Sequence, residues 1–176
     1  MEFFYSKSKQ GGASLGGFNC WRKKLSAFWS CSESLEIDGN LFRSIELAFH
    51  YEKFKRTDKP ELGQVYIEGG QFDGDEGKGK VYSGKASMKK LGCKLDVEKW
   101  TKESVDVMKT LVYMRWKNDV EFRSIISDAK KNNIPLLHFE RGTLKRPPFW
   151  GCFRSKETGE IVGQNMYGKI LMWMTE

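Results

Sequence analysis

A chain of 176 residues with 39% hydrophobic and 14% aromatic content can bury a sizeable core, which excludes a disordered polypeptide. Thirty Lys and Arg against 23 Asp and Glu leave a net charge of +7, a balance that favours an acidic partner such as nucleic acid, a nucleotide or a phosphorylated ligand. Cys20, Cys31, Cys93 and Cys152 are scattered without a CxxC pair and only two His accompany them, so zinc spacing is absent and free, mostly buried thiols are expected.

The opening MEFFYSKSKQ holds too short an apolar patch for a secretory signal, and no apolar run approaches the roughly 18 residues of a membrane span. The expectation is an intracellular, cytoplasmic protein, with residues 1–176 forming a single domain. FFYS reads as the beginning of a short strand, and QGGASLGG (residues 10–17) as a mobile loop. Residues 20–28 bring Trp21 together with Arg22, Lys23 and Lys24, then LSAF. Leu35-Glu36-Ile37 suits a short edge strand before an Asp38-Gly39 turn. A helical pattern follows that turn at once, with Ser44 placed to cap it.

Residues 55–80 are charged and Gly-rich with no strong helical period. GDEGKGK superficially looks like a phosphate loop, but Lys80 is followed by Val81, so G-x-x-x-x-G-K-S/T is not satisfied and a surface loop or lid is expected. Residues 83–91 read as a short helix ended by Gly92. Asp96 is placed to cap a long helix running to about Trp116, with Val97, Trp100, Val105, Met108, Leu111, Val112 and Arg115 or Trp116 on one face. Asp119 is placed to cap the next, with Phe122, Ile125, Ile126 and Ala129 as its apolar stripe and Asn132-Asn133 as its end. Residues 134–139, IPLLHF, read as a buried strand. Gly163 opens a final helix, NMYGKILMWM, which Asn165 can cap. Five helices and a few short strands define an α+β, mainly helical domain.

The stretch IDGNLFRSIELAFHYEKF (residues 37–54) organises the functional reading. Ile45, Leu47, Phe49, Tyr51 and Phe54 recur at helical spacings and bury most of the helix. Glu46, His50 and Lys53 then fall at i, i+4 and i+7, so a carboxylate, an imidazole and an ammonium share one stripe. Such a stripe is either a solvated face with a Glu-to-Lys pair or a pocket wall turned toward a ligand. Elsewhere, Trp150-Gly151 offers a loop Trp that stacks on a base or plugs the core. Gly163 to Gly168 (GQNMYG) is ordinary capping or a phosphate or ribose approach to free amides. His138 in IPLLHF reads as a hydrogen-bonded core residue, since no G-x-S-x-G elbow accompanies it.

Taken in order, FYS (Phe4, Tyr5, Ser6), LSAF (residues 25–28), IDG, SIELAFHYEKF, Gly92, Trp100 followed by Val107-Met108, Trp150-Gly151 and G-x-N-x-x-G-x-x-L-M (residues 163–172) resemble the NADAR (YbiA-like) family. The corresponding family pieces read FYS, FSNF, VDG, SEHYFQAxKF, GR, W…VM, WGxG and GxNxLGxxLM, and the match spans nearly the whole chain. The resemblance implies an α+β, YbiA-like domain acting as an N-glycosidase on ribosyl–nitrogen linkages. Its most direct substrate is an ADP-ribosylated base such as guanine, as a nucleotide or in nucleic acid, with release of ADP-ribose; riboflavin-pathway intermediates are an alternative, as is a non-catalytic ADP-ribose or nucleic-acid binding module.

By position, the resemblance makes Glu46 and Lys53 the catalytic pair and Ser26, Phe28, His50, Trp100, Trp150, Gly151 and Asn165 the substrate-binding set. It implies no metal, no cofactor and no membrane partner. Ala27, His50, Cys93, His138, Pro147 and Phe153 depart from the family residues at their positions. Cleaving a ribosyl C–N bond passes through a cation-like sugar, so Glu46 is cast as the group that stabilises that charge or activates water. Lys53 is cast as a phosphate ligand or as an amine offered to the anomeric carbon. Trp100 and Trp150 are cast as walls, and Asn165 as the residue orienting ribose or phosphate.

Overall fold

Ser44 fixes where the helix of the Glu46 stripe begins. Its residue is extended (φ −143, ψ 158), and its hydroxyl accepts the Leu47 amide hydrogen at 3.4 Å. The computed structural model describes residues 3–9 and 13–174. Its elements in chain order are β1 (Phe3–Phe4), α1 (Trp21–Lys24), β2 (Leu35–Ile37), β3 (Asn40–Phe42), α2 (Ile45–Phe54), a 3-10 helix (Pro60–Tyr66), α3 (Glu76–Tyr82), α4 (Lys85–Lys90), α5 (Val97–Asn118), α6 (Val120–Lys131), β4 (Leu137–His138), β5 (Phe153–Arg154), β6 (Ile161–Val162) and α7 (Met166–Trp173). This is a mixed α+β chain dominated by helix, as its pattern predicts, with more helices than the five expected. They belong to two compact units, one of Ser30–Asn118 and one of Met1–Trp29 with Asp119–Glu176.

In the Ser30–Asn118 unit, the helix does not follow Asp38-Gly39 at once. Asp38 (φ 51) and Gly39 (φ 76) both adopt left-handed backbone, the geometry of a tight hairpin turn. It folds β3 back on β2 with Leu35 opposite Phe42 and Ile37 opposite Asn40. Helix α2 then packs on the 3-10 helix, α3 and α5, burying nine of its ten residues.

The stretch expected as a loop holds the 3-10 helix, started by Pro60, and α3, capped by Asp75 accepting the Lys78 amide at 3.2 Å. Gly79 explains why a glycine-rich helix forms here. A Cβ at that position would lie 3.1 Å from the Tyr66 ring and 3.5 Å from Leu47, so glycine lets α3 lie close on α2. Asp96 accepts the Lys99 amide at 3.0 Å and starts α5, whose buried face is Ser104, Met108, Leu111, Val112, Arg115 and Trp116. Val97, expected on that face, stands exposed at the tip.

In the other unit, Asp119 caps α6 through the Phe122 amide at 3.0 Å, and Phe122, Ile125, Ile126 and Ala129 are all buried. The strand expected over residues 134–139 is only the two residues of β4, paired in parallel with β1 and half-buried. Its neighbour Leu136 carries the burial instead. All four cysteines are free, Cys93 and Cys152 buried and the other two half-buried. Gln10–Gly12 of the expected loop lie outside the described residues. Among the described residues, no helix is long and apolar enough to cross a membrane.

Asn165 does not cap α7 with its side chain. Its backbone is left-handed (φ 50, ψ 40), and its carboxamide turns to β4, accepting from the His138 amide and donating to the Leu136 carbonyl, both at 2.9 Å. Gly168 completes the clamp: a Cβ there would stand 2.1 Å from the Leu136 carbonyl oxygen and 2.5 Å from Asn165 Oδ1. An exposed helical Gly→Ala change stabilises by about 1 kcal/mol. At Gly168 the sign reverses, and G168A is expected to lose about 1–3 kcal/mol through overpacking, read as a lower urea midpoint.

Candidate functional site

In the Ser30–Asn118 unit, the stripe on α2 faces inward. Glu46 is 8% exposed and His50 6%, which excludes the solvated reading for both. A carboxylate taken that far from water needs a partner. Glu46 Oε1 lies 3.0 Å from His50 Nε2, one helical turn away, and His50 Nδ1 lies 2.8 Å from Ser83 Oγ. The Ser83 hydroxyl also lies 3.2 Å from the Lys80 carbonyl. With Ser83 donating over the shorter distance, Nδ1 accepts and Nε2–H donates to Glu46. The imidazole is thereby held in one tautomer and one orientation.

Lys53, one turn beyond His50, is half-buried and donates to the Ser83 carbonyl at 2.6 Å. Burial lowers its pKa from the ordinary lysine value, with the nearby Cys93 opposing in part. His50 and Lys53 thus meet at Ser83, which sits just after α3, and Glu46 joins them through His50. Tyr66 backs the imidazole at 5.6 Å between ring centroids, and its hydroxyl donates to the Gly79 carbonyl at 2.9 Å. Burial pushes that phenol well above the ordinary tyrosine range, so it stays protonated. Trp100, from α5, lies 5.1 Å from the Phe49 ring and 5.8 Å from the Arg56 guanidinium carbon. It is half-buried, held between helix residues.

A cavity of about 420 Å³ in the same unit is lined by Glu36, Glu52, Arg56, Glu103, Asp106 and Leu111 among others. None of Glu46, His50, Lys53 and Trp100 lines it. Arg56 spans its wall, donating to Glu52 and Glu103 at 2.6 Å each.

The remaining expected residues belong to the other unit. Ser26 is 1% exposed, and its hydroxyl accepts the Phe28 amide at 3.2 Å, so these two form one turn. Trp150 is half-buried and edge-on to Phe149 at 5.1 Å. Gly151 donates its amide to Glu140 Oε2 at 2.8 Å, and a Cβ there would stand 2.7 Å from the His138 carbonyl oxygen. The Asn165 amide donates to the Gly151 carbonyl at 2.9 Å, which brings Trp150-Gly151 and Asn165 together through backbone. Close packing accounts for Gly151, and the clamp on β4 accounts for the Asn165 carboxamide.

Ser83 and Tyr66 were not among the expected site residues. Ser83 reads in sequence as a helix start, and nothing local marks it as the partner of a histidine 33 residues earlier. Among the described residues, no group of His, Cys, Asp and Glu is arranged to hold a metal ion. Comparison with known protein families, with curated proteins and with solved structures finds no match to this chain.

The lowered Lys53 pKa has a stability consequence whose sign is fixed. The folded state binds its proton less tightly than the unfolded state, so its ammonium form costs stability at neutral pH. That cost disappears as pH rises past the ordinary lysine value. K53M should therefore melt at or above the wild-type temperature at pH 7, with its advantage shrinking as pH rises toward 10.5. Calorimetry across that range checks it; a variant that melts lower at pH 7 rejects it.

Proposed function

We propose that this chain is an N-glycosidase that hydrolyses a ribosyl C–N bond, most directly releasing ADP-ribose from an ADP-ribosylated base such as guanine. The observation that carries this reading is the buried Glu46 carboxylate, hydrogen-bonded through His50 to Ser83, with the Lys53 amine on the same helix face. The resemblance of the ordered motifs to those of the NADAR family supports the same reading.

Departure of the base leaves positive charge on the anomeric carbon and ring oxygen. A carboxylate held in a low-dielectric setting offsets that charge far better than one in water. Glu46 supplies it, either facing the cation or taking a proton from the water that adds to the anomeric carbon. The departing base nitrogen takes up a proton, so the products are a ribosyl hydroxyl and a neutral base. His50 keeps Glu46 in one rotamer. Lys53, its pKa lowered by burial, is a phosphate ligand or an amine whose bond to the anomeric carbon forms as the base leaves and is then hydrolysed by water. Trp100 walls the site. The resemblance alone assigns Trp150 and Asn165, which belong to the other unit, to ligand binding.

Glu46→Gln keeps the shape of the side chain and removes its charge. It should lower the release of ADP-ribose from ADP-ribosylated guanosine by about 10²–10⁴-fold, followed by chromatography, with an unchanged melting curve. Full activity in that variant would remove Glu46 from the mechanism. Tight ADP-ribose binding by the wild type without any base release would instead make the chain a binding module.

A further inference from the structure

The excess positive charge of this chain is not spread over it. Between Glu76 and Asp96 stand Lys78, Lys80, Lys85, Lys89, Lys90 and Lys94, with no acidic residue among them. These six account for all but one unit of the +7 net charge. All six are exposed on α3, α4 and the turn after α4. Lys78 is neutralised by Asp75 at 2.8 Å. Lys85, Lys89, Lys90 and Lys94 make no ion pair with a described residue, unlike Lys99, Lys102 and Lys109 on α5, each of which is paired with a carboxylate.

The short helices lie on the core through Gly79 and Met88, which are buried, so their lysines are directed outward. Leaving such a cluster uncompensated costs self-repulsion, and a polyanion relieves it. We infer that the α3–α4 lysine band is a docking surface for the phosphate backbone of a nucleic acid. The composition favours that partner over a membrane. Polybasic segments that hold to lipid alongside an apolar anchor use Trp, Phe or Leu, and here Val81 is the one exposed large apolar side chain. The cations are all lysine with no arginine, which suits point contacts to phosphate and lacks the paired donors that read guanine edges. Binding is therefore independent of sequence and strongly dependent on salt.

The band adjoins the candidate site, because Ser83, which touches His50 and Lys53, is the first of the two residues between α3 and α4. A strand lying on the lysines passes beside that cluster. This placement rests on the reading of Glu46 and Lys53 as reacting groups; the binding itself does not.

The test is fluorescence anisotropy with a labelled single-stranded oligonucleotide of about 20 nucleotides, in KCl between about 50 and 200 mM. The intact protein is compared with Lys85→Gln/Lys89→Gln/Lys90→Gln and with a charge-matched control, Lys99→Gln/Lys102→Gln/Lys109→Gln. Four phosphate contacts, from Lys85, Lys89, Lys90 and Lys94, predict a log–log salt slope of about −2.8, and removing three makes it shallower by about 2. The control should keep the wild-type slope. Equal slopes and affinities for the band variant and the wild type would overturn the inference, as would an equal loss in the control. Capture by phosphatidylserine–phosphatidylcholine vesicles without oligonucleotide binding would overturn it too.

Should the triple variant melt early, Lys85→Gln/Lys94→Gln tests the same band and should flatten the slope by about 1.4. Failure here is distinct from failure of the glycosidase reading. Glu46→Gln should bind the oligonucleotide with the wild-type slope, and the band variant should cleave ADP-ribosylated guanosine mononucleotide at the wild-type rate.

Discussion

The constraint on which the Ser30–Asn118 unit turns is the burial of a carboxylate and an imidazole in the middle of an otherwise apolar helix. Isolated in the interior, Glu46 would cost several kcal/mol. It is tolerated because His50 stands one turn away at 3.0 Å and is itself held from the far side by Ser83 at 2.8 Å. That requirement reaches outward. Ser83 reaches the imidazole because α3 ends beside α2, and α3 lies that close because Gly79 carries no side chain against Tyr66 and Leu47. The glycine-rich stretch is thus the condition for a polar chain to exist inside an apolar wall.

The two carboxylates buried on α2, Glu46 and Glu52, are compensated differently. Glu52 faces Lys55 at 3.0 Å and Arg56 at 2.6 Å, with Arg56 tied onward to Glu103. A guanidinium does not give up its proton, so Glu52 is locked in a permanently compensated network and serves to fasten α2 to α5. Glu46 instead meets an imidazole, at 3.0 Å. A carboxylate that must change its interaction during a reaction is better placed beside a group that can change with it.

Sequence spacing brought α2, its Ser44 cap, α5, α6 and their Asp caps into view, because each rests on a local rule: an oxygen two or three residues ahead of a free amide, then an apolar period. It also brought the Glu46–His50–Lys53 stripe into view, since one helix fixes that spacing. What it did not show are features settled at a distance. Strand β3 was hidden because Asn40-Leu41-Phe42 is short and Ser44 follows so closely that the Asp38-Gly39 turn read as a helix entry. Helix α3 was hidden because Gly77 and Gly79 are poor helix formers, and only the Tyr66 ring explains the second of them. Ser83 was hidden because a serine bound to a histidine 33 residues away looks like any helix-flanking serine.

Asn165 carries this point to the other unit. An asparagine ahead of an apolar helix satisfies every local expectation of a cap, yet its carboxamide is committed to β4, accepting from His138 and donating to Leu136. The Asn165 carboxamide lies against Gly168 in the first turn of α7, where the missing side chain leaves it and the Leu136 carbonyl room to approach. The carboxamide that the motif assigns to a ligand is thereby tied to holding a two-stranded edge. It is half-buried and fixed in both donor and acceptor roles, which makes it a rigid post. The clamp that occupies the Asn165 carboxamide also holds the residue whose amide donates to the Gly151 carbonyl.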